Sequence, residues 1–196
     1  MLIGLVGING AGKTTQLKSW YQVNSGQASF LPDSPVIPIE VTAYELLFHV
    51  GKLHGLSKDQ AQSRAQQLVD MLLIDGGYDR PIEVYSAGNY KKTALASLFV
   101  EPRQLLYLDE PLETVDAISR HQIITILRQL ADSGSKIFVS TQDLEIAMKC
   151  DEVQVFSALQ VVAKGKPAEV LGNDPFERLL QHSKCSLEPV VLEWVK

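Results

Sequence analysis

The chain has 196 residues, of which 45% are hydrophobic and 21% charged, and its formal net charge is −5. These values are typical of one globular α/β domain with a full apolar core. The acidic balance argues against a nucleic-acid-binding surface, which usually carries a basic excess, and no apolar run reaches the roughly 18 residues of a membrane-spanning helix.

The first element of the chain is a phosphate-binding loop. Residues 1–6 form a short apolar run typical of a buried strand, and residues 7–14 (GINGAGKT) match the P-loop pattern G-x-x-x-x-G-K-[ST]. A helix is predicted over Thr15–Tyr21, which gives the motif its strand–loop–helix context. Successive backbone N–H groups in such a loop cradle a polyphosphate. The predicted nucleotide-binding residues of this loop are Gly7, Ile8, Asn9, Gly10, Ala11, Gly12, Lys13, Thr14 and Thr15.

Two side chains of the loop carry distinct predicted roles. Lys13 is expected to reach the β- and γ-phosphates, and the Thr14 hydroxyl to bind Mg²⁺. Trp20 and Tyr21, at the end of the first helix, are expected to pack against the domain rather than to stack on a base.

The next part of the chain predicts a helical insertion. A strand is expected at 28–31, followed by a proline-rich loop over 32–38. Capping boxes that begin at Thr42 and Ser57 open two helices, which are predicted to end near Leu53 and at the glycine pair 76–77. The second helix has an apolar face made of Ala61, Ala65, Leu68, Leu72 and Leu73. A third helix is expected to run from the segment 85–89 to Val100, with Lys91 and Lys92 on a solvated face.

A pair of acids follows the next apolar segment. Residues 104–108 (QLLYL) are typical of a strand buried on both faces of a parallel sheet, and we expect this strand beside that of the P-loop. Asp109, at its carboxyl end, is predicted to hold Mg²⁺ directly or through water. Glu110 is predicted to orient or deprotonate the attacking water.

The remaining elements alternate in the manner of an α/β domain. The apolar patterns predict a helix over 114–132, with Ile118, Ile123, Ile126, Leu127 and Leu130 among its apolar positions, and a strand over 136–140. A short helix over 144–149, a hairpin of 152–156 and 159–163, and a short helix over 168–171 follow.

The order of these motifs resembles that of the ATP-binding cassette (ABC) ATPase family. After the P-loop come a signature-like segment Ser86–Asn89, a Walker B-like segment 105–111 (LLYLDEP), a D-loop-like segment 112–116 and a switch-like segment 139–143. The resemblance extends from Met1 to about Leu171. It implies a P-loop NTPase of the α/β class, with a RecA-like parallel sheet core and an inserted helical subdomain. The expected organisation is a single domain with its core at about 1–40 and 101–172, a helical subdomain at about 41–100 and a tail at 173–196.

The resemblance also implies a mechanism. Two such domains pair head to tail, so that ATP lies between the P-loop of one and Ser86, Gly88 and Asn89 of the other. Gln142 stands at the catalytic switch position, and Asp33 stands where the family has a residue that touches Mg²⁺ and the membrane partner. The implied partners are an integral-membrane permease and a second ATPase subunit, identical or related, with no nucleic acid. The implied cofactors are ATP and Mg²⁺.

The expected location follows from the partners and the composition. A subunit bound to a permease lies on the inner, cytoplasmic face of the cell membrane. Cys150 and Cys185 have no metal-ligand or disulfide spacing, which predicts free thiols in a reducing compartment. The loop 33–40 and the turn 51–56 resemble those of export-type cassettes, which favours an exporter.

Several residues depart from the family pattern. The chain starts six residues before Gly7, which leaves no room there for the family's antiparallel β-subdomain and its base-stacking aromatic residue. Ala87 and Asn89 replace Gly and Gln in the signature, Asp33 replaces a Gln, and Gln142 replaces the switch His. Gln hydrogen-bonds but does not exchange protons at neutral pH. We therefore expect weaker and less base-selective nucleotide binding, and hydrolysis that is slow or depends on a partner.

Two alternatives to a transport ATPase remain. A degenerate cassette would bind ATP in a structural or regulatory role without efficient turnover, as Gln142 suggests. A nucleoside monophosphate kinase of the thymidylate kinase type would share the start Gly7–Gln16 and the pair Asp79–Arg80, but such kinases lack the strand end 105–111.

Overall fold

A six-stranded sheet organises the computed structural model, in which residues 1–184 are described. Its order is β2-β3-β4-β1-β5-β6. The first five strands along the chain run parallel, and β6 pairs antiparallel with β5 as a hairpin. The strands are β1 (Leu2–Val6), β2 (Ala28–Leu31), β3 (Leu105–Asp109), β4 (Lys136–Ser140), β5 (Glu152–Ser157) and β6 (Gln160–Gly165). The fold is thus the predicted α/β class with a mainly parallel sheet.

One predicted neighbour relation is wrong. The strand that carries Asp109, β3, does not lie beside the P-loop strand β1, because β4 pairs with both and separates them. Chain order could not reveal this, since all three strands are short apolar runs suited to the middle of a sheet.

Helices pack on the sheet, and three of them lie between the second and third strands along the chain. They are α1 (Lys13–Asn24), α2 (Ala43–Leu53), α3 (Lys58–Met71), α4 (Ala87–Phe99), α5 (Ala117–Asp132), α6 (Leu144–Ala147), α7 (Pro167–Val170) and α8 (Pro175–Ser183), with a 3₁₀ turn at Ile82–Val84. Thr42 and Ser57 form the predicted capping boxes of α2 and α3. As predicted, Trp20 packs on Phe138, with ring centroids 4.9 Å apart. No helix within residues 1–184 is both long and apolar enough to cross a bilayer.

Several helix bounds differ from the prediction. Helix α3 ends at Met71, and Leu73 is exposed with a left-handed backbone (φ 49°), so Leu73 does not belong to the apolar face. Helix α5 begins at Ala117 because the Asp116 side chain caps it, and its predicted apolar residue Ile118 is exposed.

Lys91 and Lys92 do not lie on a solvated face, so that prediction is wrong. Their exposed fractions are 6% and 4%, because α4 packs against α2, α3 and β2. The Lys92 Nζ donates to the Leu73 carbonyl (2.7 Å) and the Ser119 hydroxyl (3.2 Å), and lies 3.6 Å from the Asp116 carboxylate. A buried ammonium needs such partners, and these tie α4 to the start of α5.

Only one of the two cysteines lies within the described residues. Cys150 is a buried free thiol, as predicted, and burial raises its pKa to about 12. Cys185 and the rest of the tail after residue 184 lie outside the described residues. Helix α8, which was not predicted, occupies the described part of the tail.

Candidate functional site

The P-loop turns from β1 into α1 through glycines with positive φ. Gly10 has φ 78° and Gly12 has φ 106°, conformations that side-chain-bearing residues rarely adopt. The Lys13 side chain folds back over the loop, and its Nζ donates to the carbonyls of Gly7 (2.8 Å) and Ile8 (3.4 Å). Burial lowers the pKa of Lys13, while the carboxylates of Glu110 and Asp109 act in the opposite direction. The loop therefore holds the Lys13 ammonium group against its own backbone carbonyls.

The predicted metal residues Thr14 and Asp109 are brought together. The Thr14 hydroxyl donates to Asp109 Oδ1 at 3.0 Å, although β1 and β3 are not neighbours. Asp109 is 1% exposed, and its Oδ2 is buried without a hydrogen-bond partner. An unsatisfied buried carboxylate oxygen is costly, and a cation would satisfy it. These residues therefore fit Mg²⁺.

The donor set also suits the chemistry of that ion. Within residues 1–184 no group of three or more His, Cys, Asp or Glu side chains is placed to hold a metal. Mg²⁺ at nucleotide sites is typically held by one or two protein oxygens together with substrate phosphates and waters. Thr14 and Asp109 match that pattern.

Ser140 is a site residue to which sequence reasoning gave no role. It is fully buried at the carboxyl end of β4. Its hydroxyl donates to Asp109 Oδ1 at 2.6 Å and accepts from the Glu110 backbone N–H at 2.9 Å. The signal that could have found it is a hydroxyl residue at the end of an apolar parallel strand, where ligand-binding side chains collect. Ser140 thus orients both acids.

Glu110 occupies a strained and partly buried position. Its backbone has φ 45°, which is uncommon for a residue other than glycine. Burial raises the pKa of its carboxyl group; Lys13 opposes this rise, and the Asp109 carboxylate adds to it. A carboxyl group with a raised pKa is better matched to proton transfer near neutral pH.

A cleft of 380 Å³ joins these residues. It brings most of the predicted P-loop residues together with the predicted catalytic residues Glu110 and Gln142 and the predicted metal residue Asp33. Gly7 and Ile8 are not part of its lining, and their carbonyls accept hydrogen bonds from the Lys13 Nζ. The lining is Asn9, Gly10, Ala11, Gly12, Lys13, Thr14, Thr15, Asp33, Glu110, Glu113, Gln142 and Leu159.

Asp33 has a partner of its own at the edge of this cleft. The Lys91 ammonium bonds its backbone carbonyl and lies 3.3 Å from its carboxylate. The sequence did not reveal this contact, because Lys91 was expected in solvent. The ion pair connects the loop after β2 to α4.

The signature-like residues lie apart from the P-loop. Ser86, Gly88 and Asn89 are not among the residues that line the described cleft. The Ser86 hydroxyl caps α4 by accepting from the Asn89 N–H at 3.2 Å. A Cβ on Gly88 would meet the Thr114 carbonyl oxygen at 2.8 Å, so this segment packs closely on the loop before α5. Within one chain, these residues are therefore not part of the wall of the P-loop cleft.

Comparison with known proteins agrees with this geometry. A family model described as ABC transporter matches residues 1–113. The chain is 30% identical over 192 residues to the daunorubicin/doxorubicin resistance ATP-binding protein DrrA of Streptomyces peucetius, covering 87% of this chain and 58% of that protein. It is 28% identical over 193 residues to an uncharacterised ABC transporter ATP-binding protein of Synechocystis, covering 87% of this chain and 54% of that protein. The chain spans a little over half the length of these relatives.

Solved structures share the fold. An ATP-binding subunit of an ABC transporter superposes with a TM-score of 0.81 and 23% identity, covering 93% of this chain and 88% of that one. A dimeric ATP-binding cassette in a post-hydrolysis state with ADP and Pi gives a TM-score of 0.72 and 16% identity, with 85% of each chain covered. These likenesses concern the fold, whereas the family model concerns the sequence itself. Because that model matches more than half of the residues, the chain belongs to the ABC transporter ATPase family.

Proposed function

We propose that this chain is the ATP-binding and ATP-hydrolysing subunit of a transporter, and that it drives an export-type membrane permease from the inner face of the cell membrane. The observation that carries the proposal is the unpartnered buried Asp109 Oδ2 beside the Thr14 hydroxyl. A divalent cation with ATP phosphates would satisfy this oxygen, and the acidic rim of the cleft would otherwise repel a polyphosphate. Mg²⁺ would be held by Thr14 and Asp109, where it would neutralise phosphate charge.

The remaining steps belong to residues of the chain. Lys13 would exchange its bonds with the Gly7 and Ile8 carbonyls for phosphate oxygens. Glu110, with its raised pKa, would accept the proton of the attacking water. Gln142 would donate a hydrogen bond to the terminal phosphate but would not transfer a proton.

We propose that the working unit is a dimer of this chain with itself or with a related subunit. Ser86, Gly88 and Asn89 stand at the amino end of the 13-residue helix α4, where N–H groups and the helix dipole favour an anion. Because they line no part of their own P-loop cleft, they would serve the nucleotide of the partner. In this arrangement the region 41–100 acts as a helical subdomain on a core made of 1–40 and 101–172.

A groove beside α4 supports the permease as partner. Its volume is 560 Å³, and the nearby side chains of Val36, Ile39 and Val84 are exposed. Asp33 and Glu113 line both this groove and the nucleotide cleft. A permease segment seated here would therefore contact residues that also face the phosphates. Relatives bear names such as the Nod factor export ATP-binding protein I of Ralstonia nicotianae, which favours export.

Gln142 favours one alternative, a cassette that binds ATP for a structural or regulatory role. Gln142 is exposed at the cleft and has no titratable group. The kinase alternative loses its support, because Arg80 pairs with Asp75 at 2.6 Å and neither Asp79 nor Arg80 lines the nucleotide cleft.

The test is ATP hydrolysis by the purified chain beside Glu110→Gln, with and without membranes that carry a cognate permease. We expect turnover that falls at least a hundredfold in Glu110→Gln while ATP binding persists. Glu113→Gln, which changes a second cleft carboxylate, is the matched control. Binding without turnover in every condition would favour the regulatory alternative.

A further inference from the structure

The turn between β5 and β6 packs directly on the P-loop. This two-residue turn is Ala158-Leu159, and the Leu159 backbone N–H donates to the Ala11 carbonyl at 2.9 Å. A Cβ built on Gly12 would lie 3.0 Å from the Leu159 Cα and 2.8 Å from its Cδ2. The hairpin and the phosphate loop are therefore in contact at the third glycine of the motif.

Leu159 remains 66% exposed despite these contacts. It lines the nucleotide cleft, where the other lining residues are glycines, polar or charged side chains and the buried Ala11. Within the described lining, Leu159 is thus the exposed apolar side chain of an otherwise polar cleft. Its neighbour Val161 on β6 is also exposed but does not line the cleft.

The turn holds Leu159 in place at a conformational cost. Ala158 has φ 48° and Leu159 has φ 65°, the backbone of a type I′ turn, for which Asn and Gly are the preferred residues. A large apolar side chain is therefore unfavourable here both for the backbone and for exposure to water. Such an outlier next to a ligand cleft indicates a role in binding.

We propose that Leu159 is the platform for the nucleotide base. With the polyphosphate in the P-loop, the heterocycle would leave the cleft across Gly12 and cover the Leu159 side chain. The acidic side chains of the lining, Asp33, Glu110 and Glu113, suit a cation and water rather than an apolar ring face. An aliphatic platform contacts the ring face and not its polar edge, so it favours purine nucleotides in general over bare polyphosphate. This inference rests on the proposed ATP binding.

The experiment compares Leu159→Asn with wild type by calorimetry, using Mg²⁺ with ATP, GTP or inorganic tripolyphosphate. Asn is well tolerated at positive φ, so the turn and the fold are retained. Val161→Asn is the matched control on the same hairpin. We expect Leu159→Asn to weaken ATP and GTP binding by about threefold to tenfold, as loss of a partly buried leucine contact implies, and to leave tripolyphosphate binding within about twofold.

Two results would contradict the proposal that Leu159 contacts the nucleotide base. Unchanged ATP affinity in Leu159→Asn would show that the base lies elsewhere, and an equal loss for tripolyphosphate would show that the residue only shapes the P-loop. A wild-type protein that binds neither nucleotide would instead refute the proposed function, and the platform with it.

Discussion

Replacing Ser140 with alanine tests whether one hydroxyl orients both acids of the site. The change removes the 2.6 Å bond to Asp109 Oδ1 and the 2.9 Å bond from the Glu110 N–H. A hydrogen bond to a charged group contributes about 1.5–3 kcal/mol and a neutral one about 1 kcal/mol. Ser140 is fully buried, so water does not replace the hydroxyl. The free energy of unfolding should fall by about 2–4 kcal/mol, and Tm by on the order of 5–15 °C.

The assay is urea and thermal unfolding, followed by titration of Mg²⁺ at fixed ATP. In Ser140→Ala, Thr14 alone would hold Asp109 Oδ1, so the half-saturating Mg²⁺ concentration should rise severalfold. Ser133→Ala, which removes an exposed hydroxyl bonded to the Leu130 carbonyl, should change neither quantity. A Ser140→Ala protein with wild-type stability and Mg²⁺ dependence would refute the assigned role.

Two further predictions concern buried charge. Lys92→Met leaves the Leu73 carbonyl without its donor, so the free energy of unfolding measured in urea should fall by about 2–3 kcal/mol. Lys18→Met, at an exposed position, is the control and should not change stability. A Lys92→Met protein as stable as wild type would contradict a stabilising role for the buried Lys92 ammonium. Glu110→Gln should melt above wild type at pH 8, because the raised pKa means that ionised Glu110 destabilises the fold. Since protonation removes this penalty, the difference in Tm between the two proteins should vanish as the pH falls through the raised pKa of Glu110 towards 4.5. A difference in Tm that does not depend on pH would contradict a destabilising charge on Glu110.

The sequence contained enough to predict most elements of the fold and most residues of the phosphate cleft. Short apolar runs, capping boxes and the P-loop pattern are local signals, because each depends only on residues that are close together in the sequence. The pair Thr14 and Asp109 could be predicted because both residue types and their places, after β1 and at the end of β3, follow from motifs.

What escaped prediction depends on tertiary contacts. The place of β4 between β1 and β3 is a choice of neighbours that periodicity does not encode. Lys91 and Lys92 are two of the most polar residues of α4, yet packing on several sides forces their ammonium groups inward to carbonyls and carboxylates. Leu159 entered the site only through the fold of the hairpin, because nothing in its local sequence points to the P-loop.

The order of the central strands separates the P-loop from the acidic residues of the site. Because β4 lies between them, the P-loop strand β1 and the strand β3, which carries Asp109, are two strand spacings apart, roughly 10 Å. Gln142 follows β4 in the chain and therefore lies between these two strands. Under the proposed function, a substitution at position 142 would therefore change the rate of ATP hydrolysis and leave the P-loop and Asp109 in place. Such a variant would alter how long ATP stays bound, while the residues proposed to bind its phosphates remain unchanged.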